Sequence, residues 1–125
     1  QKIELWENSF EVIKNNLLIG VGTGNAPREL KKQLEINNSE LADTNMRTHN
    51  QYFSVVFSYG IIGLLIWFAF LFYPMFRFSL NKNPYYIIFL AIMLISFFSE
   101  DTLDNQAGIM MYCCWNFFFV NQSKK

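Results

Sequence analysis

One stretch of this chain constrains its fold more than any other. From Val55 to Phe76 there is no charged residue. As a helix rising about 1.5 Å per residue, that run would extend roughly 33 Å, enough to cross the hydrocarbon of a bilayer. Two more uncharged stretches follow, Asn83 to Ser99 and Ala107 to Val120. The first is marginal for a span and implies little tilt; uncharged flanks lengthen the second. Helices of soluble proteins normally keep a polar face, and these stretches hold almost none. A buried hairpin in a soluble core is the competing reading. The patterning predicts an all-α polytopic membrane fragment, with about three transmembrane helices near residues 54–76, 83–99 and 105–122.

The charges that remain fall into place around those spans. The chain carries 10 basic and 10 acidic residues, most of them in residues 1–53 together with the one histidine. Arg77 and Lys82 lie between the first two spans, and Lys124 and Lys125 follow the third. Under the positive-inside rule those ends face the cytoplasm. The acidic turn Glu100-Asp101-Thr102-Leu103-Asp104 then falls outside, with residues 1–53. The expected organisation is an external segment over 1–53 and a membrane domain over 54–125. Tyr85 and Tyr86 stand where an aromatic belt belongs. Zero net charge gives no electrostatic case for nucleic acid. Cys113 and Cys114 are adjacent, which suits neither a disulfide nor a metal site. The chain begins at Gln1 without a signal peptide, yet its first segment must reach the outside. Further transmembrane helices of the same protein are therefore expected upstream, and the piece alone is expected to be inactive.

In the external segment, Ile3, Trp6, Phe10, Ile13 and Leu17 recur at helical spacing and predict an amphipathic helix. Its apolar stripe would pack on neighbouring elements or lie on the membrane face. Gly20-Val21-Gly22-Thr23-Gly24-Asn25 would stop that helix in a tight turn. A phosphate-binding reading is weak, because a helix rather than a strand precedes these glycines. Pro27 to Ile36 reads as a second short amphipathic helix, with Asn25 as cap and Leu30 and Leu34 facing inward. Residues 37–48 are polar and loop-like. Gly60 and Gly63 would allow close helix packing. His49 stands at the mouth of the first span; by itself it reads as a histidine bracing that helix.

The ordered set of motifs carries a resemblance. A Trp-containing amphipathic helix is followed by Gly20-Val21-Gly22-Thr23-Gly24-Asn25, a polar stretch, His49-Asn50-Gln51-Tyr52-Phe53 and Tyr59-Gly60-Ile61-Ile62-Gly63. The acidic turn and Gly108 complete it. Together they resemble the C-terminal part of the O-antigen ligase family of bacterial polytopic membrane proteins, across essentially the whole chain.

The resemblance implies glycosyl transfer at the outer face of the cytoplasmic (inner) membrane. The donor would be a glycan on undecaprenyl diphosphate, and the acceptor a hydroxyl such as one on lipid A-core. It implies no cofactor and no metal. Polymerisation of O-antigen, or O-glycosylation of protein, is the alternative within the family. A non-enzymatic polytopic membrane protein or transporter fragment is the alternative from another class. By the resemblance His49 matches the external-loop histidine and would be catalytic. Family members carry an arginine four residues before the helix tryptophan, where this chain has Lys2. Lysine keeps the charge but loses bidentate phosphate geometry. Lys2 and, as a local substitute, Arg47 are the expected diphosphate contacts; a further family arginine would lie upstream.

Overall fold

A computed structural model describes residues 2–37 and 49–123. Arg47, nearly all of the polar loop expected at 37–48, and Lys124 and Lys125 lie outside the described residues. The described residues are all-helical: α1 (Lys2–Asn15), α2 (Ala26–Ile36), α3 (Gln51–Arg77), α4 (Pro84–Ser99) and α5 (Gln106–Ser123). Single 3₁₀ turns lie at Leu80–Lys82 and Thr102–Asp104.

The helix expected from the first apolar stripe forms, but it buries a different face. Leu5, Val12 and Ile13 are enclosed together with Asn8 and Ser9, while Ile3, Phe10 and Leu17 are exposed. Local hydrogen bonding explains why two polar residues sit inside. Ser9 Oγ donates to the Leu5 carbonyl at 2.7 Å, and Asn8 Nδ2 to the Glu4 carbonyl at 2.8 Å. Side chains satisfied this way can be buried at little cost, and hydropathy alone places them outward. In α2, Leu30 and Leu34 are buried as their spacing requires. Asn25 occupies the N-cap position but its side chain makes no capping bond.

Helix α3 changes the expected picture most. It is the one described helix long and apolar enough to cross a membrane, while α4 is apolar but shorter. Yet α3 is not a straight rod. Gly60 has φ 67° and ψ −168°, a non-helical conformation inside the helix. On a straight helix Tyr52 and Phe68 would stand roughly 24 Å apart. Their ring centroids are 6.0 Å apart, and Tyr52 also meets Trp67 edge-on at 5.9 Å. The chain therefore turns back at Gly60, and the limb of residues 51–59 lies against the limb of residues 61–77. Within the run expected as one straight span over 54–76, the first part therefore doubles back at Gly60. The uncharged run contains a limb whose opposite faces are covered by protein.

Two apolar cores flank that limb. On one side, Phe57 joins Leu5, Val12, Ile13, Leu30 and Leu34, with Phe53 and Val56 packed against them. On the other, Tyr52 packs against a bundle core of α3, α4 and α5 that includes Leu71, Tyr86, Phe89, Met93, Phe97 and Phe119. Asn83 caps α4, its side chain accepting from the backbone N–H groups of Tyr85 and Tyr86. Of the two tyrosines expected in a belt, Tyr85 is exposed. Tyr86 is fully buried and donates its hydroxyl to Asn116 Oδ1 at 3.0 Å. A buried tyrosine requires such a partner.

Candidate functional site

His49 lies just before the cap of α3, and three polar residues after it fix the chain that carries it. Asn50 caps the helix, its side-chain oxygen accepting from the Phe53 N–H at 3.1 Å. The same amide donates to the Phe98 carbonyl at 3.3 Å, tying the cap to the end of α4. Gln51 is buried and uses both ends of its amide: Nε2 donates to Asp104 Oδ1 at 3.0 Å, and Oε1 accepts from the Leu103 N–H at 2.8 Å. One turn later, Ser54 Oγ donates to Asp101 Oδ1 at 2.8 Å. The start of α3 is thus stitched to the acidic turn residue by residue.

The turn itself is built to hold its shape. Ser96 and Thr102 hydroxyls meet at 2.8 Å, and Asn105 accepts from the Gly108 N–H at 2.7 Å to start α5. Gly108 is required by space, since a Cβ there would run into the Thr102 carbonyl.

This stitching sets His49 beside Glu100. Nδ1 of the imidazole lies 3.5 Å from Glu100 Oε2, with the side chains 46% and 64% exposed respectively. The ring is reachable from solvent while one of its nitrogens faces a carboxylate. His49 also has φ 47°, in the left-handed region that non-glycine residues rarely adopt. Backbone strain of this kind persists where the surroundings over-determine a conformation. Here the Asn50 and Gln51 contacts supply that constraint.

A second junction holds the limb that follows. The turn between α1 and α2 enters the break at Gly60 and takes over its backbone hydrogen bonds. The N–H groups of Val21 and Gly22 donate to the Phe57 and Ser58 carbonyls at 2.9 Å each. The N–H groups of Ile61 and Ile62 donate to the Leu17 and Leu18 carbonyls at 2.9 and 3.3 Å. Backbone crosses backbone so closely that both sides must be glycine. A Cβ on Gly20 would come within 2.6 Å of the Gly60 nitrogen, and one on Gly60 would strike the Leu18 carbonyl. Both glycines have positive φ. The glycine turn is neither a phosphate cradle nor a free turn; it is the clasp of the α3 fold-back. Gly60, expected to ease helix packing, is its other half.

The remaining expected site residues are less fully placed. Lys2 opens α1, one turn before Trp6, whose ring stacks on Phe53 with centroids 5.5 Å apart. That puts the start of α1 against the start of α3; the Lys2 side chain and Arg47 are outside what is described. Among the described residues no three His, Cys, Asp or Glu side chains gather as a metal-ligand set. The sequence alone does not reveal the pairing of Asn50, Gln51 and Ser54 with the end of α4 and the acidic turn. Their signal is modest: polar residues opening an uncharged run, and a distant turn rich in carboxylates.

Searches against curated proteins and against solved structures give no match. The sequence model of the O-antigen ligase family, in contrast, matches residues 1–68. That stretch includes the glycine clasp on both sides, His49, and the polar residues that open α3. With more than half of its length matched, the chain belongs to the O-antigen ligase family.

Proposed function

We propose that this chain is the part of a membrane glycosyltransferase that presents the acceptor-side catalytic histidine. The donor in this reading is a glycan on undecaprenyl diphosphate, and the acceptor is a hydroxyl such as one on lipid A-core. The observation that carries the proposal is His49, inside the family match and half-exposed beside the acidic turn. In the reaction, Nε2 of His49 takes the proton of the acceptor hydroxyl as its oxygen attacks the anomeric carbon. The bond from that carbon to the diphosphate breaks, and the diphosphate leaves with the electron pair. Cationic side chains stabilise the departing charge, a role we assign to Lys2 and Arg47. O-antigen polymerisation or protein O-glycosylation would use the same histidine on a different acceptor.

The same reading takes the second limb of α3, α4 and α5 as three spans of the bacterial inner membrane. Supporting it, Leu65, Phe70, Ile88, Ile95, Met110 and Phe117 leave broad apolar faces exposed. Arg77 and Lys82 mark one end of this bundle, and the carboxylates of residues 100–104 mark the other. His49 would then stand at the periplasmic surface, where lipid-linked donor and acceptor meet. In this reading the lipid-linked donor, the hydroxyl acceptor and the surrounding lipids are the partners that meet at the site.

The test is His49→Ala in the full-length protein, assayed for glycan transfer to lipid A-core in membranes. The expected result is a loss of about 10²-fold or more, the range a general base contributes. Transfer at the unaltered rate would remove His49 from the mechanism.

A further inference from the structure

We propose that Glu100 is the positioning residue of His49, holding the imidazole by Nδ1 so that Nε2 points at the acceptor hydroxyl. The inference rests on the reading of His49 as the general base.

The neighbourhood singles out Glu100 among three carboxylates. Asp101 is buried and accepts from Ser54, and Asp104 accepts from Gln51. Both are committed to holding the turn against α3. Glu100 is the carboxylate that reaches the ring, at 3.5 Å from Nδ1. Around it, the start of α3 offers the uncharged Asn50, Gln51 and Ser54, and the start of α5 offers the uncharged Asn105 and Gln106. Glu100 is itself the C-cap residue of α4, with its N–H donating to the Ser96 carbonyl, so its backbone is fixed.

The chemistry follows from the two ring nitrogens. A carboxylate opposite Nδ1 favours the neutral tautomer with the proton on that nitrogen, leaving the Nε2 lone pair free to accept. When Nε2 takes the acceptor proton, the ring becomes a cation facing Glu100. That charge is then opposed rather than isolated. The observed 3.5 Å is a close approach rather than a formed hydrogen bond, and such contacts commonly tighten when substrate is bound. The left-handed backbone at His49 fits the same account. It is a strained conformation at a residue whose direction matters.

The experiment compares Glu100→Gln and Glu100→Asp with the wild type in the full-length protein. The probes are a lipid-linked oligosaccharide donor and lipid A-core acceptor. Glu100→Gln keeps the shape and removes the charge. We expect kcat to fall on the order of tenfold, a fraction of the roughly 10²–10⁴-fold of general-base catalysis, with KM for both substrates nearly unchanged. Glu100→Asp should recover part of the rate, and in a His49→Ala background Glu100→Gln should have no further effect. A merely structural role would lower thermal stability and yield but leave kcat per folded enzyme unchanged. An unchanged kcat in Glu100→Gln, with His49→Ala inactive, would overturn the positioning role and leave the function of His49 standing. Full activity of His49→Ala would overturn both.

Discussion

Residues 51–59 and residues 61–76 are equally free of charge, yet they occupy different surroundings. In the first limb Gln51, Val55 and Phe57 are buried. In the second, Leu65, Ile66, Phe70, Tyr73 and Phe76 are exposed. The first limb avoids charge because protein covers its opposite faces: the α1–α2 hairpin on one, the α3–α4–α5 bundle on another. The second keeps an uncharged face bare, as a helix against lipid would. An uncharged run therefore reports the absence of water, and two different solvents can supply it. Gly60 is where the covered limb gives way to the bare one, and His49 is presented by the limb that is covered.

Substitutions separate the two limbs. The largest effect is expected at the clasp. Gly60→Val asks a β-branched residue to adopt φ 67° and drives Cβ into the Leu18 carbonyl. A loss exceeding about 4 kcal/mol is expected, from strain and overpacking together. Limited proteolysis would read it as rapid cleavage in the α1–α2 turn. Protection equal to wild type would mean that the helix is not folded back. Next comes Phe57→Ala in the enclosed limb. Phe57 is 4% exposed, and truncation should cost ~3–5 kcal/mol in thermal or denaturant unfolding. Gln51→Ala should cost about 1–3 kcal/mol, by leaving Asp104 and the Leu103 N–H without their partner. It should also lower transfer activity, since it loosens the turn that faces His49. The smallest effect is expected at Phe70→Ala in the second limb. Phe70 is 74% exposed, and the change should stay within about 0.5 kcal/mol. Equal losses at Phe57 and Phe70 would erase the distinction between the limbs.

Much of the fold was legible. The helices over Lys2–Asn15 and Ala26–Ile36, the apolar helices and the acidic turn all follow from periodicity and charge. So does the all-helical class. The inward face of α1 was not legible, because Asn8 and Ser9 hide their polarity in bonds to the preceding turn. The fold-back at Gly60 was not legible either. Glycine inside an apolar run reads as packing, and the backbone that engages it comes from the turn about forty residues earlier in the chain. At the site, His49 stood out as the one histidine and gained its meaning from the family motifs. Its carboxylate partner could not be read, since the stitching through Asn50, Gln51 and Ser54 is long-range. The two glycine motifs stand apart in the sequence; that each is the other's partner is a property of the fold.

The central claim is that α3 doubles back at Gly60 and so carries His49 to the acidic turn. Spin labels at positions 49 and 70 test it most directly, in full-length protein with Cys113 and Cys114 replaced by serine and reconstituted in lipid. Because Tyr52 lies against Phe68, the account predicts a distance well under the roughly 30 Å of an uninterrupted helix. A single narrow distribution near 30 Å would contradict it.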